Sequence, residues 1–310
     1  MPPVPSPDPS DPRTRHFGTF YGLDDVATDA DDDRPVALVI GNCQAESLRI
    51  MLDAGDLVTV RVPAVHELTE HDLPHLDRWL ARTDLLISQP IRDDYHSLPL
   101  GTRQLAARLP TGGRLLRVPV VRFAGLYPWH VIVRPPSDPG LTPPVVEYHD
   151  VRLLLEAAGE AALPPLDRRR VLGIAEASLE HLARREQAHG TIVLSDLFAR
   201  PRFEQMRTLN HPGNSVWTAA AARVRDVAGL PENDVDPGRP LLDSVHAPRD
   251  PAVVDAFALG DEPTRHWLVG GTRIDLADVR EAHLEWYARN PEAVRAGLDR
   301  HVDTLRVLAA

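Results

Sequence analysis

The chain has 310 residues, 43% of them hydrophobic, enough to bury the core of one large domain or two. Its formal net charge of -11 repels polyanions and argues against broad binding to nucleic acid or anionic membranes, and no stretch reaches the roughly 18 apolar residues of a membrane span. One cysteine, Cys43, excludes an internal disulfide framework and any multi-cysteine zinc or iron–sulfur site, which fits a reducing, cytoplasmic setting.

Residues 1–34 read as a proline-rich, acidic, mobile arm. The opening M-P-P-V-P-S-P-D-P has neither the basic nor the apolar region of a signal peptide, and D-A-D-D-D at 29–33 reads as a solvated linker. Only the aromatics of H-F-G-T-F-Y-G at 16–22 are candidates to dock on the body.

Four apolar segments follow: Val36–Ile40, Leu57–Val62, Leu85–Ser88 and Leu115–Phe123. They alternate with helical patterns over Ala45–Ala54, Leu73–Arg82 and Thr102–Leu109, and His130–Arg134 is a further short strand. This alternation predicts an α/β fold, a mostly parallel sheet flanked by helices, occupying 35–145. Arg134–Pro144 holds five prolines and reads as an irregular connection and boundary. From 146 to 310 the pattern is largely helical: Val151–Ala158, Asp167–Ala188, Asn214–Ala228, Pro251–Ala258 and Asp275 to the end, with Thr191–Leu194 an isolated strand candidate.

Parallel sheets bind ligands at the carboxyl ends of their strands, so the residues after each predicted strand are the candidates. After the first come Gly41, Asn42, Cys43 and Gln44. Cys43 falls where strand turns to helix, and the amides and positive dipole end of a helix N-terminus favour thiolate over thiol. The plainer role for a lone cysteine is a small buried hydrophobe. After the third strand, Ser88 and Gln89, fixed by Pro90, can hold a ligand oxygen or simply end the strand in a turn. After the fourth, Gly125 and Tyr127 in F-A-G-L-Y-P-W offer close backbone approach and an aromatic wall, or aromatic core filling.

In T-L-N-H-P-G-N, His211 is the candidate base, with Asn210 or Asn214 able to orient the imidazole or cap the next helix. Arg92, Arg122 and Arg134 lie near the proposed rim and can pair with phosphates. Tyr148, His149 and Asp150 can line a site or cap a helix. His66, His71 and His75 do not share a helix face and Pro74 interrupts them, so no metal is assigned.

Taken together and in this order, V-I-G-N-C-Q, I-S-Q-P-I, F-A-G-L-Y-P-W and T-L-N-H-P resemble the WcbI family of capsular polysaccharide biosynthesis proteins. The similarity runs from about Arg34 to about Tyr287 and includes L-L-D-S-V-H-A-P at 241–248. It implies a coenzyme A-binding protein, an acetyl- or acyltransferase acting on a sugar precursor. The residue reading and the resemblance meet on acyl transfer from a small-molecule acyl donor to a sugar-like acceptor. Cys43 and His211 are then the catalytic candidates. Gly41, Asn42, Gln44, Ser88, Gln89 and Asn210 are assigned to the oxyanion or substrate, and Arg92, Arg122, Gly125 and Tyr127 to coenzyme A.

Two other classes compete. A hydrolase resembling the SGNH esterases would place Cys43 at the nucleophile position and His211 as base; those enzymes carry serine in a G-D-S block, and no downstream D-x-x-H in its usual setting is recognised here. A non-catalytic protein would hold coenzyme A or a glycan in the same polar rim.

Overall fold

The computed structural model describes residues 8–24, 33–135, 137–138 and 140–310. Residues 1–7 and 25–32 of the expected arm, with most of its acidic run, lie outside the described residues, as do Pro136 and Pro139 of the proline-rich connection. The chain divides into two compact units that interleave in sequence. The first holds the described residues of Met1–Val120 with Arg185–Leu194 and Asn214–Leu241; the second holds those of Val121–Arg184, Ser195–Gly213 and Leu242–Ala310. The chain thus passes between units at 120/121 and again further on, rather than once near 145.

The first unit begins with two short helices, α1 (Pro12–His16) and α2 (Gly18–Tyr21), in the segment expected to be an arm. Phe20 and Tyr21 are buried beside Leu76, Trp79 and Leu80. Fully buried Asp72 anchors them, accepting from Arg13 Nη1 and Nη2 (2.9 and 3.0 Å), the Tyr21 hydroxyl (2.6 Å) and the Thr69 amide (2.8 Å). Burial alone raises that carboxyl; the bonds from Arg13, Tyr21 and Thr69 outweigh it and hold Asp72 below the usual carboxylate range.

Next come β1 (Val36–Ile40), α3 (Cys43–Leu52), β2 (Val58–Thr59), α4 (Leu73–Leu80), β3 (Leu85–Ser88), α5 (Thr102–Ala106) and β4 (Arg114–Arg117). The strands form one parallel sheet, ordered β2-β1-β3-β4, with helices flanking it. Central β1 and β3 are buried at every residue, as unbroken apolar runs in parallel sheets are. The two edge strands are shorter than expected: β2 is Val58–Thr59, and β4 ends at Arg117 with a last bond from Val118 N–H to Ser88 O (3.0 Å). Because Gln89 N–H points to β1, the next β3 position that would donate to β4 is Pro90, which has no N–H. Residues 191–194 give β4 one backbone bond, Ile192 N–H to Arg117 O (3.0 Å), but form no strand.

In the second unit, β5 (His130–Val131) pairs antiparallel with β6 (His149–Asp150), where a strand over His130–Arg134 was expected. Asp150 caps α6 (Val151–Ala158) by accepting from the Arg152 amide at 2.8 Å. After α7 (Arg168–His189) come β7 (Met206–Thr208) and β8 (His211–Pro212), an antiparallel pair; α8 (Asn214–Ala228) then belongs to the first unit.

The remaining elements are β9 (Val245–His246), α9 (Pro251–Phe257), β10 (His266–Val269), β11 (Thr272–Asp275), α10 (Leu276–Arg289), α11 (Pro291–Arg300) and α12 (Val302–Ala309). The C-terminal half is rich in helices, yet it also carries a three-stranded antiparallel sheet, β11-β10-β9, that the sequence reading passed over. Gly270 and Gly271, at φ of 55° and 80°, make its two-residue hairpin turn. The single helix expected from Asp275 onward is three. Pro291, at the start of α11, has no N–H with which to continue α10.

Candidate functional site

Sheet order brings two of the sequence motifs together. Because β3 lies beside β1, G-N-C-Q and S-Q-P emerge at the same carboxyl edge of the sheet. Gln89 N–H donates to Ile40 O (2.9 Å), its Oε1 accepts from the Asn42 amide (2.9 Å), and its Nε2 donates to Gln44 Oε1 (3.3 Å). Asn42 Oδ1 caps α3 by accepting from the Gln44 amide at 2.9 Å. Gly41 is required by the same packing, since a Cβ there would lie 2.4 Å from Gln89 Oε1. Beneath, the Ser88 and Thr102 hydroxyls both donate to Gln89 O at 2.8 Å.

Gln44, Ser88 and Gln89 are therefore buried and bonded to one another or to the loop. They hold the loop, and the Asn42 and Gln44 amides are already engaged, which removes both as donors to an incoming oxyanion in this arrangement. What the loop presents outward is Cys43, the first residue of α3, whose thiol is exposed rather than buried as a small hydrophobe.

His211 sits in the second unit, in β8 rather than in an open loop, and is 7% exposed. Gly213 beside it allows a close chain crossing: a Cβ there would lie 2.0 Å from Glu204 O, and its amide donates to Gln205 O (2.8 Å). The group beside the imidazole is Tyr148, whose hydroxyl lies 3.4 Å from His211 Nε2. That hydroxyl donates to Asn210 Oδ1 (2.8 Å) and accepts from Thr208 Oγ1 (2.9 Å), so the carbonyl end of Asn210 binds Tyr148. Asn214 binds Arg239 O and the Leu241 amide, within the first unit. Burial lowers the His211 pKa, with Arg207 and His246 adding to the effect and Glu147 opposing it, so the imidazole is neutral at neutral pH and able to accept a proton.

A second imidazole in this unit was missed. Asp243 Oδ1 accepts from His246 Nε2 (2.8 Å) and from Arg207 Nε (2.7 Å), and the Ala247 amide donates to Arg207 O (2.8 Å). Burial raises the Asp243 carboxyl, but the bonds from Arg207 and His246 hold it below the usual range, as an ionised partner for the ring. The signal was present: D-S-V-H at 243–246 is a D-x-x-H spacing, noted above only as part of a longer similar segment.

The remaining candidates scatter. Because β4 stops at Arg117, F-A-G-L-Y-P-W is not at a strand end but in the second unit. There Gly125 faces the Phe123 ring and Ala175, and a Cβ on it would meet them at 2.5 and 2.7 Å. The Tyr127 hydroxyl donates to Met206 O (2.7 Å) in the interior. Arg92 is exposed in the first unit, its guanidinium 6.0 Å from the Tyr95 ring centre, and Arg122 is exposed in the second. Among the described residues no three histidine, cysteine, aspartate or glutamate side chains are grouped to hold a metal, and no helix is long and apolar enough to cross a membrane. Two adjoining cavities of about 300 and 330 Å³ lie within the second unit, sharing His130, Arg152 and Leu276.

Residues 36–233 match the sequence profile described as the polysaccharide biosynthesis enzyme WcbI, well over half of the chain. The chain belongs to the WcbI family. A solved structure of a WcbI polysaccharide biosynthesis enzyme superposes with a TM-score of 0.72 at 22% identity, covering 89% of this chain and 97% of that one. It is described as the native protein without a disulfide bond between coenzyme A and a cysteine. At that identity the likeness shows a shared WcbI fold. No curated protein matches this WcbI family member.

Proposed function

We propose that the chain transfers an acyl group from an acyl-CoA to a hydroxyl of a sugar-like acceptor during polysaccharide assembly. The carrying observation is Cys43: an exposed thiol at the first turn of α3, at the carboxyl end of a central parallel strand, on a loop braced by Gln89 and Asn42. Family membership supports it, as does the naming of coenzyme A in the description of the solved WcbI structure, which is the form without a disulfide bond between coenzyme A and a cysteine.

In the reaction, the acceptor O–H gives its proton to a neutral imidazole, for which His211 is the proposed base. The oxygen attacks the thioester carbonyl carbon, the C–S bond breaks, and the departing thiolate takes the proton back from the imidazolium. Two routes differ only in Cys43. Either its sulfur first accepts the acyl group, releasing coenzyme A, or it lines the thiol end of the donor while transfer is direct. Intact-mass measurement after mixing with acetyl-CoA separates them: a covalent route adds one acetyl group to wild type and none to Cys43→Ser. Absence of acetyl-CoA consumption with every sugar acceptor offered would sink the transferase reading.

The Asp243–His246 pair favours a second reading, hydrolysis. A carboxylate-held imidazole, 33% exposed at its side chain, can activate water as readily as an alcohol. Release of free acetate at the same rate with and without acceptor would select it.

A further inference from the structure

The two short helices at the start of the first unit rest on an imidazole that has no hydrogen-bond partner. His75 on α4 is fully buried, and its Nδ1 and Nε2 are both sealed from solvent and unpartnered among the described residues. A neutral ring carries one donor and one acceptor, and here neither is met. The Tyr21 ring of α2 stands nearly perpendicular to it at 82°, centres 5.0 Å apart, and the Phe20 ring lies at 6.0 Å. Both residues are buried themselves, so α2 is part of what keeps water from His75.

A proton on this ring finds no acceptor waiting. The titratable and charged groups facing it are Tyr21 on α2, His71 and Asp72 on the turn Glu70–Asp72, and Arg78 on α4 itself; Arg13 of α1 joins them through Asp72. Burial lowers the His75 pKa from its usual 6.5, Arg78 and His71 lower it further, and Asp72 opposes them. The Asp72 carboxylate, however, is already taken up by Arg13, Tyr21 and Thr69. Only water can serve a charged His75, and water reaches it when α2 moves off.

Little holds α2 in place. Besides the Arg13–Asp72 pair and the buried rings, Phe20 O accepts from Arg78 Nη2 (2.8 Å) and Trp79 Nε1 (3.0 Å). With five and four residues, α1 and α2 are far below the roughly 12–15 residues at which an isolated helix becomes even marginal, so they fold only as they dock. We propose that residues 8–24 form an acid-sensitive latch, which one proton on His75 detaches from α4 while the parallel sheet stays folded. Detachment uncovers the apolar face of α4 that carries Leu76, Trp79 and Leu80. The sign follows from burial: the uncovered ring takes a proton at its ordinary 6.5, the covered ring only below that. Docking is therefore strongest above 6.5 and weakens as pH falls from 6.5 toward the lower value of the covered ring.

Hydrogen–deuterium exchange on the full chain, read by mass spectrometry from about pH 7.5 to about 5 as protection factors, tests the latch, since a one-proton step changes the open population by about tenfold per pH unit. The Arg15, Phe17, Tyr21 and Gly22 amides, bonded within the segment, lose protection with that slope below pH 6.5. Val36–Ile40 and Leu85–Ser88 keep theirs over the same range. His75→Leu, apolar and of similar size, removes the pH dependence and raises protection of residues 8–24 at neutral pH. His75→Gln, polar but unable to take up a proton, also removes the pH dependence, without that gain, and His71→Gln retains it. Constant wild-type protection across the range, a slope that survives in either His75 variant or disappears in His71→Gln, or loss of protection in the two strands together with residues 8–24 overturns the proposal.

Discussion

Gly41 and Gln89 form a pair whose coupling can be measured. In the wild type, Gly41→Ala places a methyl group 2.4 Å from Gln89 Oε1 and 2.6 Å from its Cδ, and no positive φ at Gly41 adds backbone strain. The Gln89 side chain must then swing away, giving up its bonds to the Asn42 amide and to Gln44 Oε1. Two such bonds contribute about 1 kcal/mol each, and stranding the Asn42 donor costs about 1–3 more, so Gly41→Ala destabilises by about 3–5 kcal/mol. Gln89→Ala loses the same bonds and costs a similar amount. Once Gln89 is alanine, however, the Oε1, Cδ and Cγ atoms that the Gly41 methyl would strike are gone. The second substitution is then neutral, or stabilising by about 0.4–1 kcal/mol through the unfolded chain. The double mutant should therefore be less destabilised than the sum of the singles by about 2 kcal/mol or more, read from urea unfolding midpoints. Reaction of Cys43 with a thiol reagent provides a local readout, changing alike in both single mutants as the loop loosens. Costs that add to within about 0.5 kcal/mol would refute the claim that Gly41 exists to admit Gln89.

The other expectations address the base, acid stability and the N-terminal helices. His211→Gln lowers acetyl-CoA consumption by about 10²–10⁴-fold without changing the melting temperature, whereas a loss confined to His246→Gln would move the base to the Asp243-held ring; steady-state kinetics decides. Burial lowers His149 to about 3 and His130 to about 4, against 6.5 for the free ring, and also lowers His283 and His301. Below pH 6.5 the unfolded chain takes up protons that the folded chain refuses, so the stability these rings contribute above 6.5 is lost as pH falls toward 4 and 3. Each fully shifted ring contributes a slope of about 1.4 kcal/mol per pH unit in that window, measurable by urea titration at successive pH values and shallower in His149→Gln. Arg13→Ala leaves buried Asp72 to Tyr21 and Thr69 and costs about 1–3 kcal/mol, with faster proteolysis within residues 8–24; an unchanged cleavage pattern would show that Arg13 does not secure these helices.

Some elements were legible because one local rule decided them. Val36–Ile40 and Leu85–Ser88 are uninterrupted apolar runs, and Val151–Ala158 and Asn214–Ala228 have helical periodicity behind an Asp or Asn start; all four end where the sequence places them. Others needed a competing rule. Leu115–Phe123 reads as one long strand until Pro90 on the neighbouring strand is weighed for its missing donor, and that misjudgement carried Gly125 and Tyr127 to a strand end they do not occupy. H-W-L-V-G-G-T-R-I-D carries a glycine-pair hairpin signal that helical neighbours on both sides obscured.

The sequence by itself determined the family, the parallel α/β character of the sheet, and which residue types could carry chemistry: one thiol, a few imidazoles, and amides grouped after apolar runs. Only the tertiary structure decided which of those groups turn toward each other and which turn outward. Pairing of β3 with β1 directs the Gln89 side chain into the G-N-C-Q loop and leaves Cys43 facing solvent, and the fold of β7, β8 and β9 buries His211 while joining His246 to Asp243. The physical reason is that a polar side chain has the same composition and spacing whether its hydrogen bonds are met by protein or left for a ligand, and only the packing of distant segments settles which.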